Sequence, residues 1–237
     1  MTAQTAIIVT HGQPSDPGPA ARALADFSER VGALLPGWRV GSATLAEMDA
    51  LASIASTMPA GVIFPMFMTG GYFTRVAIPE RLRTGGVSGW QVLEPFGCDP
   101  MVHDLTVTLA REAGADRVLL AAHGSFKSAV PSDIARHVAG RIAAEVGVRA
   151  EAAFIDQEPQ VATMHGFGPG SVCLPFFAAA GGHVVEDIPA GLDQAGFQGR
   201  ILPPVGLDAR VPQIVAAAIA AGQMLCAGAC RWKRNTG

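Results

Sequence analysis

The sequence is poor in charge. Asp, Glu, Lys and Arg make up 16% of its 237 residues, and the formal net charge is −3. Proteins that bind nucleic acids or anionic membrane surfaces need a clear excess of Lys and Arg. Both partners are therefore excluded, although a local basic pocket for an acidic small molecule is not. Hydrophobic residues, at 49%, provide ample material for buried cores, which excludes a disordered chain.

Targeting and nucleotide-binding signals are also missing. No basic segment followed by a long apolar stretch opens the chain, and the most apolar helical run, IVAAAIAAGQML, is too short to span a bilayer. We therefore expect a cytoplasmic protein that does not enter a membrane. No GxGxxG or GxxxxGK[ST] follows any predicted strand, which argues against a nucleotide-binding module.

Cysteine is scarce, with four residues in the chain. Cys98 and Cys173 stand in apolar surroundings and are expected to be small core residues. Cys226 and Cys230 are four residues apart, a spacing that would place them on one face of a helix. This is not the CxxC spacing of zinc or redox sites, and whether the two bind anything stays open.

A tandem repeat runs through the chain. Three pairs of segments match in the same order: AIIVTHG (6–12) with VLLAAHG (118–124), PMFMTGG (65–71) with PFFAAAGGH (175–183), and VLEPFGCD (92–99) with ILPPVGLD (201–208). Such collinear matches indicate a duplication. We predict two domains, residues 1–112 and 113–237.

Each half alternates strand and helix patterns. The runs AIIV, VIFPMFM, RVLLAA and SVCLPFF are continuously apolar, which is typical of strands covered on both faces of a parallel sheet. Helical patterns lie between them, and Ser132 or Asp133 is the expected N-cap of the helix that enters the second half. The sequence predicts an α/β fold of two tandem, duplicated domains, each a parallel sheet flanked by helices.

Histidines follow several of these strands. His11 and His123 come directly after the first strand of each half, and His183 follows a later strand beyond two glycines. Functional residues of such sheets lie at the carboxyl ends of the strands, so His123 and His183 are expected to converge. Neutral imidazole binds Fe, Co and Zn and transfers protons near pH 7. In the first half Phe73 occupies the place of His183 and can do neither, so the second half carries the candidate site. The other histidines, expected to have no chemical role, are His103, His137 and His165.

Carboxylates follow the same strand ends. The segment FIDQEP places Asp156 and Glu158 after the predicted strand RAEAAF. Either would complete a metal site or hold an imidazole in the right tautomer. Glu186 and Asp187 follow His183 in what is expected to be the first turn of a helix, where their simpler role is to complement the helix dipole.

The motifs THGQPSDP, AHGSFKSA, AGGHxxxxIP and PPVGLD together resemble the CbiX/SirB family of sirohydrochlorin chelatases. The resemblance covers nearly the whole chain, once per half, as in the long two-domain members of that family. It implies two duplicated chelatase-like domains that insert a divalent metal ion into the tetrapyrrole sirohydrochlorin. No permanently bound cofactor is implied, because the metal, Fe²⁺ or Co²⁺, is a substrate. The chain lacks the His-rich tract and CxxC cluster of some cobalt-type members, which favours Fe²⁺.

Carried over to this sequence, the resemblance makes His123 and His183 the metal ligands and catalytic residues. The catalytic acid maps to Asp156, with Glu158 as the second choice. The first half has HGQP and GGYF in place of the motifs HGS and GGH, so its site is expected to be degenerate, and the role of His11 stays open. Sirohydrochlorin carries many carboxylates, so cationic rim residues and backbone N–H groups are expected to bind it. The residues predicted to contact it are Ser125, Lys127, Arg75 and Gly182, with Gly124, Arg81 and Arg210 as further candidates.

Two other functions remain to be weighed. A carrier would bind the tetrapyrrole or the metal with the same histidines but without turnover. A histidine phosphatase would need Arg before His11-Gly12, and Thr10 stands there instead. Because a duplicated chain carries both domains itself, we expect a monomer.

Overall fold

The computed structural model describes residues 4–227 and 230–232. Its strands are β1 Gln4–Thr10, β2 Trp38–Thr44, β3 Val62–Pro65, β4 Gln91–Val92, β5 Arg117–Ala122, β6 Arg149–Phe154, β7 Ser171–Pro175 and β8 Arg200–Ile201. Its α-helices are α1 Pro17–Gly32, α2 Ala50–Ser56, α3 Ile78–Thr84, α4 Pro100–Glu112, α5 Val130–Val146, α6 Ile188–Gln194 and α7 Val211–Ala221. Single π-helical turns cover Phe73–Ala77 and His183–Asp187, and short 3₁₀ turns cover Phe96–Cys98, Val161–Thr163 and Val205–Leu207.

Within the described residues the strands form two four-stranded parallel sheets, with the orders β2–β1–β3–β4 and β6–β5–β7–β8. The two orders are the same pattern repeated, which confirms the predicted α/β fold with duplicated domains. Strands β1 and β5 lie inside their sheets, and their continuous apolar runs are fully buried. Each sheet packs its apolar side chains into a core of its own.

Several predicted boundaries differ from the structure. The apolar runs at 62–68 and 171–177 end as strands at Pro65 and Pro175, because proline has no N–H with which to continue the ladder. The N-cap expected at Ser132 or Asp133 is wrong. Helix α5 already begins at Val130, and the Ser132 hydroxyl donates to the carbonyl oxygen of Ala129 from within the first turn.

The chain divides into two compact units that are discontinuous in sequence. Unit 1 contains residues 4–99 and 209–227, and unit 2 contains residues 100–208 and 230–232. Helix α7 packs against α1 in unit 1, and α4 packs against α5 in unit 2. The predicted boundary near residue 112 is the point at which the sequence repeat begins again, whereas these units are defined by packing. The boundary therefore stays a prediction.

The cysteines fall into two groups. Cys98 and Cys173 are buried, as predicted, and burial raises the pKa of the Cys173 thiol to about 12. Cys226 and Cys230 do not share a helix face, because α7 ends at Ala221. None of the helices in 4–227 and 230–232 is long and apolar enough to cross a membrane.

Each of the repeated segments VLEPFGCD and ILPPVGLD contains a glycine that packs against the loop after β3 or β7. The Gly206 N–H donates to the carbonyl oxygen of Phe177 at 2.9 Å, and the Gly97 N–H donates to that of Phe67 at 3.0 Å. A Cβ on Gly206 would overlap the backbone carbonyl of Ala178. Only glycine permits this close approach, which explains why both repeats carry it.

We expect Gly206→Ala to lower the free energy of unfolding by about 1–3 kcal/mol, because the backbone must shift to remove the overlap. Gly140→Ala is the matched control: it lies inside α5, where an added Cβ would have no atom within 4 Å, and it is expected to stabilise the helix by about 0.5–1 kcal/mol. Thermal unfolding followed by circular dichroism measures both. An unchanged midpoint for Gly206→Ala would contradict the close-approach argument.

Candidate active site

His123 stands directly beyond the end of β5, at the carboxyl edge of the second sheet. Its Nδ1 lies 3.2 Å from the carbonyl oxygen of Gly124 and 3.3 Å from Oδ2 of Asp156. Both neighbours are acceptors when Asp156 is ionised, so this arrangement places the proton of the neutral ring on Nδ1. The lone pair of Nε2 is then available to a metal ion.

The loop after β6 brings Asp156 to this histidine. The Asp156 N–H donates to the carbonyl oxygen of His123 at 2.9 Å, so the backbone of His123 itself fixes the position of Asp156. Gly124 follows with φ +76°, and a Cβ there would lie 2.7 Å from the Gln157 side chain. A glycine at this position lets the two loops pack together.

His183 begins the π-helical turn that leads into α6. Its Nδ1 lies 2.6 Å from Oδ2 of Asp187, four residues further along the same turn. An ionised carboxylate only accepts, so Nδ1 donates and Nε2 again carries the free lone pair. This is the arrangement in which a carboxylate orients a metal-binding imidazole.

The two imidazole rings meet. The ring centroids of His123 and His183 are 4.6 Å apart and the ring planes are nearly perpendicular, at 87°. Between 40% and 51% of the His123, His183, Asp156 and Asp187 side chains is exposed. The pair therefore presents two nitrogen donors at an open surface that a large planar ligand can approach.

Unit 1 repeats this geometry with three of the four polar side chains replaced. His11 and Phe73 have ring centroids 4.7 Å apart at an interplanar angle of 79°, matching the His123–His183 pair. The Ala46 N–H donates to the His11 carbonyl oxygen as the Asp156 N–H does to His123, so Ala46 is the counterpart of Asp156. Ala77 ends the first π-helical turn where Asp187 ends the second. His11 is thus the one member of this four-residue set that unit 1 retains.

The remaining predicted residues of unit 2 are not all directed at the histidines. Glu158 turns back on its own loop, where Oε2 accepts the N–H of Gln160 at 3.2 Å. The Ser125 N–H, expected to bind a substrate carboxylate, donates to Oε1 of Gln157 at 2.8 Å. Lys127 is exposed, and its N–H donates to the Ser125 hydroxyl.

Gly182 and Arg75 belong to the equivalent turns of the two units: Gly182 directly precedes the π-helical turn of unit 2, and Arg75 lies within that of unit 1. Gly182 precedes His183, and no atom lies within 4 Å of where its Cβ would be. Its place in unit 1 is taken by Tyr72. Arg75 contacts the C-terminal segment of unit 1, where Nη1 donates to the Cys226 carbonyl oxygen at 2.6 Å and Nη2 lies 3.1 Å from its Sγ.

Two imidazoles are the metal donors this site offers. In the described part of the chain no group of three or more His, Cys, Asp and Glu residues is arranged to hold a metal ion. A metal bound by His123 and His183 alone keeps coordination positions open for water and for a substrate, as catalytic metal sites do. Such an arrangement suits a metal that is delivered to a ligand rather than retained.

Sequence reasoning preferred a helix-dipole role for Asp187 to a role in the site. The dipole role expected for it is an interpretation of its place in the first turn, whereas its carboxylate contacts His183 Nδ1. The available signal was the spacing of four residues, which brings two side chains together on one helix face.

Comparison with known proteins finds one family and several solved structures to which the chain is similar. The sequence model of a family described as CbiX matches residues 117–221. The chain is 39% identical to a CbiX of solved structure, described as the terminal enzyme for biosynthesis of siroheme in denitrifying bacteria. The match covers 92% of this chain and 99% of that one, with a TM-score of 0.85. No curated protein matches the chain.

Two more distant structures share the fold. SirB from Bacillus subtilis with Fe³⁺ is 15% identical, with a TM-score of 0.71 and coverage of 94% of this chain and 96% of that one. The sirohydrochlorin chelatase SirB from Bacillus subtilis subspecies spizizenii, in complex with cobalt, is 13% identical, with a TM-score of 0.67 and coverage of 94% and 95%. At these identities the likeness concerns the fold.

We expect Asp187→Ala to weaken Co²⁺ binding about 10- to 100-fold, because His183 loses the partner that orients it. Asp187→Asn is expected to retain most of the affinity, since its amide oxygen still accepts the Nδ1 proton. Isothermal titration with Co²⁺ measures both, and Glu186→Ala, an exposed carboxylate in the same turn, controls for charge alone. If Glu186→Ala or Asp187→Asn weakened Co²⁺ binding as much as Asp187→Ala does, a positioning role for Asp187 would be contradicted.

Proposed function

Because the chain belongs to the CbiX family, we propose that it is a sirohydrochlorin chelatase, an enzyme that inserts a divalent metal ion into sirohydrochlorin. The observation that carries this proposal is the pair of perpendicular imidazoles in unit 2, His123 and His183, with ring centroids 4.6 Å apart. Each ring has its Nδ1 engaged by an acceptor and its Nε2 left to bind a metal.

Iron is the metal we favour. The CbiX that is 39% identical is described as acting in the biosynthesis of siroheme, which is an iron tetrapyrrole. Neutral imidazole binds Fe²⁺ and Co²⁺ alike, so the ligands themselves do not separate the two metals. Insertion of Co²⁺, on the way to cobalamin, is the alternative.

The proton balance of insertion matches the residues present. A tetrapyrrole must lose two pyrrole N–H protons as the metal binds to its nitrogens. When the metal leaves the Nε2 atoms of His123 and His183, two basic nitrogens become free at the point where those protons are released. Each imidazole is therefore assigned one proton.

The two carboxylates support this transfer. A proton on Nε2 makes an imidazolium, and Asp156 and Asp187 each lie beside the Nδ1 of one ring, at 3.3 and 2.6 Å. The negative charges stabilise the cations that form during the reaction, as in other carboxylate–histidine pairs. Asp156 is our assignment for the acidic residue of the site. Glu158, whose carboxylate is engaged with its own loop, remains the second choice.

The macrocycle is expected to lie over the exposed edge of the histidine pair. Phe126 follows Ser125 with 81% of its surface exposed and offers an apolar face to the ring system. Lys127 provides a cation for a peripheral carboxylate, and the space beside Gly182 leaves room for the ring. Arg75 stays a weaker candidate because two of its nitrogens contact Cys226.

A carrier with the same ligands is the competing function. It would bind sirohydrochlorin and the metal but would not accelerate their combination. Only the rate of metal insertion distinguishes such a carrier from an enzyme. A cytoplasmic location and a monomeric state are retained as predictions.

We expect His123→Ala and His183→Ala each to slow insertion of Fe²⁺ or Co²⁺ by about 100-fold or more, because a metal ligand and a proton acceptor are lost together. Anaerobic absorbance spectroscopy of sirohydrochlorin follows the reaction directly. The control is His165→Ala, an exposed histidine of the same unit whose Nδ1 lies 3.0 Å from the Ala195 carbonyl oxygen. If the unsubstituted protein binds sirohydrochlorin but does not exceed the uncatalysed rate, the carrier is the correct function.

A second prediction concerns access of the macrocycle. Gly182→Tyr introduces the residue that unit 1 carries at this place and is expected to raise the KM for sirohydrochlorin about 10-fold, equivalent to about 1.4 kcal/mol. The backbone at Gly182 is helical, so a side chain is sterically permitted and the melting temperature is expected to stay unchanged. Gly182→Ala is the matched control. Steady-state kinetics measure the KM of both variants, and their affinity for Co²⁺ is expected to be unaltered. An unchanged KM for Gly182→Tyr would show that the macrocycle binds elsewhere.

A further inference from the structure

Unit 1 contains a cavity of about 260 Å³ at the place that corresponds to the histidine pair of unit 2. Its walls include His11, Ala46, Phe73 and Ala77, the counterparts of His123, Asp156, His183 and Asp187. The cavity is therefore the duplicated site itself, with one imidazole kept and three polar side chains replaced by apolar ones.

The imidazole that remains is prepared as a ligand. The Nδ1 of His11 lies 3.0 Å from the carbonyl oxygen of Gly12, which places the proton of the neutral ring on Nδ1 and the lone pair on Nε2. The side chain is exposed at the cavity rather than buried. One imidazole is a weak site for a hydrated metal ion, which needs several protein donors to give up its water.

The surroundings of His11 suit the flat, apolar face of a large ring system. Phe73 packs edge-on against the imidazole and is stacked on Phe67 at a centroid distance of 5.5 Å. Tyr72 and Val76, in the same turn, are 67% and 49% exposed. In unit 2 the residues equivalent to Tyr72 and Val76 are Gly182 and Glu186, so this aromatic and aliphatic surface is found in unit 1 and not at the equivalent place in unit 2.

The cavity also carries a cation for a carboxylate. Arg81 lines it and is positioned by donating to the carbonyl oxygens of Met48 and Leu45. Its counterpart in α6 is Gly191. Glu80 lines the cavity too, but its carboxylate pairs with Arg83, and that hydrogen bond and charge lower the pKa of Glu80.

We propose that unit 1 is a binding site for a metallated tetrapyrrole and that His11 is the axial ligand of its metal. The inference rests on the proposed function, which supplies such a product. Four nitrogens of the macrocycle already hold the metal, so a single imidazole completes its coordination, as the proximal histidine of haem proteins does. Nε2 donates its lone pair to the metal, an axial water leaves, and no electron is transferred. A metal-free tetrapyrrole lacks this bond, so the site discriminates product from substrate.

The test uses preformed cobalt(II)–sirohydrochlorin and electron paramagnetic resonance. One axial imidazole splits the cobalt signal into a nitrogen triplet. The protein used is the full chain carrying both His123→Ala and His183→Ala, which removes the imidazoles of unit 2. We expect the triplet in this double variant and its loss when His11→Ala is added. A missing triplet in the double variant, or a triplet that survives His11→Ala, would overturn the proposal.

Binding measurements give a second, independent readout. In the double variant we expect cobalt–sirohydrochlorin to bind at least tenfold more tightly than metal-free sirohydrochlorin. Addition of His11→Ala is expected to abolish this preference, whereas Arg81→Ala weakens both ligands by a similar factor because a carboxylate contact does not depend on the metal. Equal affinity for the two ligands before any change at His11 would contradict the inference. Because the product is supplied preformed, these results are independent of whether the chain catalyses insertion.

Discussion

The site depends on the hydrogen bonds that fix which nitrogen of each histidine carries the proton. Imidazole is useful as a ligand only on the nitrogen that is not protonated, so an acceptor at Nδ1 decides that Nε2 faces the metal. For His123 the acceptors are the Gly124 carbonyl and Asp156, and for His183 the acceptor is Asp187. The parallel sheet positions one of these acceptors. Because the loops after β5 and β6 lie side by side, the Asp156 N–H donates to the His123 carbonyl oxygen, and this brings the Asp156 carboxylate close to the imidazole.

The duplication shows how the same backbone supports two chemistries. Both units keep three features: the backbone hydrogen bond from Ala46 or Asp156 to the carbonyl oxygen of the strand-end histidine, the π-helical turn, and the glycine of the last repeated segment. Only the side chains differ: Ala46, Phe73 and Ala77 replace two acids and an imidazole. Unit 1 thereby loses charge and gains apolar surface without any change in fold, since none of these three positions is fully buried.

Much of this was accessible from the sequence. Continuous apolar strands and three collinear repeats predicted the duplicated parallel sheets, and strand-end positions predicted that His123 and His183 converge. Asp156 came from its place after β6. The equivalence of Ala46 with Asp156 was not predicted, because the two loops share no residue pattern. It follows from their hydrogen bonds to the histidine backbone, and the offset of 156 − 46 = 110 residues is the one that relates Phe73 to His183. Strand ends were misplaced because the apolar runs continue past Pro65 and Pro175, and the start of α5 was misplaced because Ser132, a serine of the first turn, resembles an N-cap.

The membership of helix α7 has a consequence for how the chain reaches its fold during synthesis. Unit 1 includes residues 209–227, so the segment that completes it leaves the ribosome after every other part of the sheets. Unit 2 has nearly all of its residues by 208 and can close its core while unit 1 still exposes the apolar surface that α7 covers. Completion of unit 1 therefore waits until α7 has been translated, and a chain released before that point would leave this surface open to chaperones and proteases.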